Sequence, residues 1–222
     1  MRFPVLIINL KSYKEAIGEK ALKFCEYALE ISNKYDVDIR VAVHPTDLVA
    51  CRKFRHLVFS QHVDVRNYGA YTGHMPIDLL IDLGISGSLL NHSEYKVDHK
   101  IIIDVVNYIK NKDFEIVTCV DSIEELNALL KLNVKPTAYA IEPPELIGTG
   151  RSVSKYKPET IIKAVELGEK HQVNILCGAG IVDHEDVKEA IKLGAKGVLV
   201  ASGIVKAKDP KTAITNMVLA MK

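Results

Sequence analysis

Short apolar runs, rich in β-branched residues and nearly free of polar alternation, recur along the chain: Val5–Asn9, Ile39–Val43, Leu57–Ser60, Gly87–Asn91, Glu115–Cys119, Ala138–Glu142, Asn174–Gly178 and Gly197–Ala201. Each is followed by a longer segment whose apolar residues fall at three- and four-residue spacing, with Lys and Glu on the other side. Ala21, Phe24, Cys25, Ala28 and Leu29 make one such stripe, and Ile161, Ile162, Val165 and Leu167 another. Helix starts are marked by Asp121-Ser122 ahead of Ile123-Glu124-Glu125, by Pro158, and by Pro210.

A strand without polar alternation is buried on both faces, which requires a parallel sheet covered by helices. Eight strand–helix pairs with no break in composition predict a closed α/β barrel of the (β/α)8 type, a single domain over residues 1–222. The competing open, doubly wound sheet would carry a glycine-rich phosphate turn after its first strand. Asn9-Leu10-Lys11-Ser12 stands there instead. The length lies in the lower part of the range for such barrels.

At 48% apolar and 26% charged, the 222 residues are neither disordered nor fibrous. The net charge of +1 is spread along helical faces, so no footprint for nucleic acid or for a membrane surface is expected. Cys25, Cys51, Cys119 and Cys177 are widely spaced and mostly set in apolar runs, the pattern of reduced thiols in a cytoplasmic protein. The start, Met1-Arg2-Phe3-Pro4, runs directly into a strand and reads as neither a signal peptide nor a membrane span.

In a (β/α)8 barrel the reactive groups sit at the carboxyl ends of the strands. Reading those positions in order gives Asn9 and Lys11, then Asn91-His92-Ser93-Glu94, then Glu142, then Gly178-Ala179-Gly180, then Ala201-Ser202-Gly203. Glu142 ends a buried strand, where partial desolvation raises the basicity of a carboxylate. After it, Pro143-Pro144 stiffens the root of a loop in which Gly148 and Gly150 allow close backbone approach to a ligand. Taken singly, Lys11 reads as a solvated lysine, His92 as a structural imidazole and Glu142 as a surface carboxylate. Convergence of a cation, an imidazole, a carboxylate and two small-residue turns at matching strand ends reads as a catalytic site.

These motifs, in this order and over essentially the whole chain, resemble the triosephosphate isomerase family. The resemblance implies a TIM barrel without metal or organic cofactor, acting on a small phosphorylated triose through an enediolate. Glu142 is then the base, and His92 a neutral electrophile at a helix N-terminus opened by Ser93-Glu94. Lys11 is the fixed cation and Glu94 its partner. Asn9, Leu10 and Lys11 contact the substrate, whose phosphate is held by Ile147 and Gly148 in a lid at about residues 143–152, by Gly180, and by Ala201-Ser202. Gly69-Ala70-Tyr71-Thr72-Gly73 is similar to the family's subunit-crossing loop, so Thr72 is expected at an interface of a homodimer or, from the compact archaeal look of the chain, a homotetramer. Three departures stand out: the chain has no Trp for the lid, Gly178-Ala179-Gly180 replaces glycine-glycine-serine, and Ala201-Ser202 replaces a glycine pair.

Two other functions compete. A metal-dependent hydrolase would draw on His44, His62, Asp64 and His92, yet the chain shows no H-x-H pair or H-x-x-x-H motif with a nearby carboxylate. A silent phosphate-binding barrel would need no positioned base beside Lys11 and His92.

Overall fold

A computed structural model describes residues 1–65, 68–143 and 157–222. Eight parallel strands close on themselves in sequence order: β1 (Val5–Asn9), β2 (Asp38–Val43), β3 (Val58–Ser60), β4 (Gly87–Leu90), β5 (Glu115–Val120), β6 (Ala138–Ile141), β7 (Ile175–Cys177) and β8 (Gly197–Val200). The seam joins β1 to β8 in register, Val5 opposite Gly197 and Ile8 opposite Val200. Around the strands lie α1 (Glu19–Tyr35), α2 (Leu48–Cys51), α3 (Ile77–Asp82), α4 (His99–Tyr108), α5 (Ile123–Lys131), α6 (Pro158–His171), α7 (His184–Lys192), α8 (Ser202–Val205) and α9 (Pro210–Ala220).

The lack of alternation along the strands has a direct structural cause, since both faces are buried in different apolar layers. Val5, Ile7, Ala42, Phe59, Leu89, Val117, Ala140, Leu176 and Leu199 fill the barrel interior. Their strand neighbours, among them Leu6, Ile8, Val41, Val43 and Ile116, face outward against the helices. At the amino-terminal end of the barrel the interior is capped by charge. The buried Arg40 guanidinium pairs with Asp38 and donates through Nε to Glu115 at 3.1 Å. Its remaining face lies 5.9 Å from the Phe59 ring. Such an end, far from the strands' carboxyl termini, belongs to stability rather than chemistry.

Helix starts follow the local chemistry. Ser122 caps α5 by accepting from the Glu125 N–H at 3.1 Å, and Asp183 forms a reciprocal capping box with Asp186 at the start of α7. Pro158 and Pro210 occupy first-turn positions of α6 and α9. Two expectations change. In α6 the buried residues are Ile161, Ala164 and Gly168, while Ile162 is exposed, so the buried stripe is rotated from the one read in the sequence. No helix begins at Ser93-Glu94 either: residues 93–95 form a turn closed by the Tyr95 N–H on the His92 carbonyl at 2.8 Å, and α4 starts only at His99.

Candidate active site

The first strand delivers Asn9 and Lys11 through a strained turn. Lys11 sits at φ 47°, in left-handed backbone, held by its own N–H donating to Asn9 Oδ1 at 3.0 Å. Gln61, at the end of β3, donates to the carbonyls of Lys11 and Ala42 at 3.1 and 3.2 Å and so fixes this turn against its neighbours. The Lys11 ammonium then reaches across the barrel mouth to Glu94 Oε1 at 2.7 Å.

His92 follows β4. The Glu94 N–H donates to His92 Nδ1 at 3.1 Å, which makes Nδ1 an acceptor and leaves the ring proton on Nε2. The helix N-terminus expected here is missing, and this bond sets the tautomer. Nε2 points to Glu142 Oε1, 3.6 Å away.

Glu142 lies immediately beyond β6, anchored by its N–H on the Val120 carbonyl at 2.8 Å. Only 2% of the residue is exposed, and Oε2 has no hydrogen-bond partner among the described residues. Burial pushes the carboxyl pKa up, against the opposing pull of His92, the Cys119 thiol and Lys11. Burial, and next the charge of Glu142, push the Cys119 thiol well above its ordinary value, keeping it protonated beside the carboxylate. The space for the carboxylate is made by β7: a Cβ at Gly178 would stand 2.5 Å from Glu142 Cγ.

Asn9, Lys11, His92, Glu142, Gly180, Ala201 and Ser202 line one cavity of about 50 Å³, together with Tyr13, Gly178 and Leu199. A larger hollow of about 280 Å³ adjoins it, sharing Asn9, Lys11 and His92 and adding Gln61, Glu94 and Tyr95. The loops after β7 and β8 are packed tightly on each other, since a Cβ at Gly203 would meet the Ile181 and Val182 carbonyls at 2.8 and 2.7 Å. Leu10 does not reach the cavity: its side chain is buried in the layer between strands and helices. Ile147, Gly148 and most of the proposed lid lie outside the described residues. Thr72 is exposed, in a turn far along the chain from any strand end, between the exposed rings of Tyr68 and Tyr71 on one side and Met75 on the other. The four residues considered for a metal do not converge. His44 bonds Thr46, His62 and Asp64 contact each other, and His92 faces Glu142. Among the described residues, no group of three or more His, Cys, Asp or Glu could hold a metal ion.

Gln61, Cys119 and Leu199 were not singled out as site residues by their sequence context. Gln61 had a usable signal, being the first polar residue beyond a buried strand. Cys119 and Leu199 had none, because an inward-facing apolar residue near a strand end looks like any other core residue.

The fold and this cluster define a class: a (β/α)8 barrel equipped for acid–base chemistry, with a desolvated carboxylate facing an imidazole N–H beside a fixed cation. Comparison with known proteins narrows it. The family model described as Triosephosphate isomerase matches residues 4–218. The chain is 44% identical over 212 residues to the triosephosphate isomerase of Pyrobaculum islandicum, covering 94% of this chain and 92% of that one. It is 43% identical over 223 residues to that of Cenarchaeum symbiosum, covering 99% of each. With the Thermoplasma volcanium triosephosphate isomerase it shares 43% over 216 residues, covering 96% and 98%. The chain belongs to the triosephosphate isomerase family.

Proposed function

We propose that this protein interconverts dihydroxyacetone phosphate and D-glyceraldehyde 3-phosphate through an enediolate, serving glycolysis and gluconeogenesis. The observation that carries the reading is the pairing of a buried, partly unpartnered Glu142 carboxylate with the His92 Nε2–H, 3.6 Å apart over one cavity that Lys11 also lines. Glu142 takes the proton from one substrate carbon and returns it to the next. His92, whose Nδ1 accepts from the Glu94 N–H, donates from Nε2 to the oxygen on which charge develops, the role established for this family's histidine. Lys11 adds fixed positive charge to the same oxygen and to the phosphate, and Glu94 holds that ammonium in place. Asn9 orients the substrate oxygen. Backbone N–H groups near Gly180, Ala201 and Ser202 receive the phosphate, with Ile147 and Gly148 of the loop after Glu142 completing its enclosure, as lid closure does in the family.

Assembly and location extend the reading. Tyr68, Tyr71 and Met75 flank Thr72 on a protruding turn, and exposed aromatic residues of that kind favour a partner surface. A homodimer is the minimum state, and the resemblance favours a homotetramer. Four buried cysteines outside any disulfide fit a cytoplasmic setting, and among the described residues no helix is long and apolar enough to cross a membrane.

The test is a proton NMR time course of glyceraldehyde 3-phosphate in deuterated buffer with wild type beside Glu142→Gln. Rapid isomerisation with deuterium entering product is expected for wild type, and a loss of about a thousandfold in turnover for the variant. Binding of the triose phosphate without carbon-bound exchange in folded wild type would instead favour a non-catalytic binding barrel.

A further inference from the structure

One buried side chain beside the site has no part in the chemistry above. Asn91 is 1% exposed and lies directly before His92, with φ at 60°. Asparagine tolerates this left-handed conformation better than most residues, so the position is locally permitted rather than forced. Its carboxamide, however, is engaged at both its nitrogen and its oxygen. Nδ2 donates to the Cys119 carbonyl at 2.8 Å and to Glu125 Oε1 at 2.9 Å, while Oδ1 accepts from the Val97 N–H at 3.1 Å. The opposite amide orientation would set oxygen against oxygen and N–H against N–H, so the arrangement has one solution.

The three partners are not equivalent. Val97 is the far end of the turn that carries His92, Ser93 and Glu94, so the Oδ1 bond closes that turn on itself. The Cys119 carbonyl belongs to β5, whose next residue, Val120, holds the Glu142 N–H and whose Cys119 thiol lies beside the Glu142 carboxylate. Glu125 is a hub at the start of α5: besides Asn91 it receives Lys96 Nζ on both oxygens at 2.8 Å and the Asp121 N–H at 2.8 Å. His99 Nε2 lies 3.5 Å away, and Asp121 Oδ2 is 3.4 Å from the Lys96 ammonium.

We propose that Asn91 is a positioning residue that sets the distance and orientation between His92 and Glu142, by tying the turn that carries the imidazole to the strand end that carries the base, with Glu125 and Lys96 holding the amide in place. The inference rests on the isomerase reading. A hydrogen-bond donor misplaced by about 1 Å costs about a hundredfold in rate, and a buried amide held by three hydrogen bonds restrains the turn against such a shift.

Asn91→Gly separates the two things asparagine supplies, because glycine keeps the left-handed backbone and removes the amide. Its kcat is expected to fall about tenfold relative to wild type measured alongside, with KM within twofold. The 15N resonances of His92 are the readout that a purely structural role would not move. Wild type gives the Nε2–H tautomer alone, and the variant gives values averaged toward Nδ1–H as the Glu94 N–H loses its alignment. Asn91→Asp keeps shape and backbone preference but opposes a carboxylate to Glu125 and the Cys119 carbonyl, and is expected to lose at least as much. Adding Glu125→Gln to it should recover part of that loss by restoring a donor between the two side chains. A glycine variant with kcat within twofold of wild type overturns the proposal, as does a fall in kcat with His92 resonances unchanged. Should the glycine variant not fold, the aspartate variant and its Glu125→Gln partner decide by the same two readouts. A folded wild type that does not isomerise would refute the isomerase reading itself, while the His92 resonances still report whether Asn91 holds the ring.

Discussion

Glu142 combines two demands that oppose each other. Its usefulness as a base comes from burial, which raises its pKa, and the ionised form is the one that abstracts a proton. The acid limb of the kcat/KM profile should therefore lie above the ordinary carboxylate range, with activity rising as pH climbs through that elevated value. Initial rates across an acid series check this, and a limb at the normal carboxylate position would show that the site is wetter than the structure has it. The same shift governs stability with the sign reversed in its effect. A carboxyl whose folded pKa is raised contributes fully below its unfolded value, and that contribution is lost as pH rises through the folded one. At neutral pH the ionised Glu142 thus costs the fold something. Glu142→Gln, which removes the charge and keeps the shape, is expected to raise Tm by about 3 °C while it cuts turnover about a thousandfold. Thermal melts of the two proteins at neutral pH measure it, and the gap should shrink in acid.

At the scale of the elements, the connection from β5 into α5 supports the turn that carries His92, since Glu125 in its first turn bonds Asn91 and Lys96. Ser122→Ala removes the cap on the Glu125 N–H, and a lost N-cap costs about 1 kcal/mol, or about 3 °C in Tm. A thermal melt within 1 °C of wild type would mean that the turn is held by the Glu125 carboxylate on the Asp121 N–H alone. The strands themselves were legible to within one or two residues, because two-sided burial makes them short, largely apolar runs, each followed by a helix. Their ends exposed Asn9, Lys11, His92 and Glu142 for the same reason. What stayed hidden depended on backbone geometry. The turn after His92 has the Ser-Glu composition of a helix start, yet it closes on the His92 carbonyl and delays α4 to His99. The left-handed backbone at Lys11 and Asn91, and the reach of the Gln61 and Asn91 amides across strands, arise only once the barrel has brought those strands together. Ile162 misled for a simpler cause: a stripe of apolar residues two positions wide on a helix does not say which of its edges turns inward.

For the whole molecule, the exposed turn around Thr72 is the feature that bears on the proposed assembly. Light scattering at working concentration should give a dimer or a tetramer, and a monomer there would remove the argument from Tyr68, Tyr71 and Met75. Whatever the number of copies, the way they meet is constrained by the seam between β1 and β8. Because Val5–Ile8 register against Gly197–Val200, the barrel sheet has no first or last strand, and among the described residues no row of free backbone N–H and C=O groups faces solvent along its edge. Edge strands are the templates on which chains add to one another as growing β-structure. A closed ring withholds that template until the seam itself parts, so heat-driven clumping of this protein should track the loss of its whole fold rather than the loosening of any one loop.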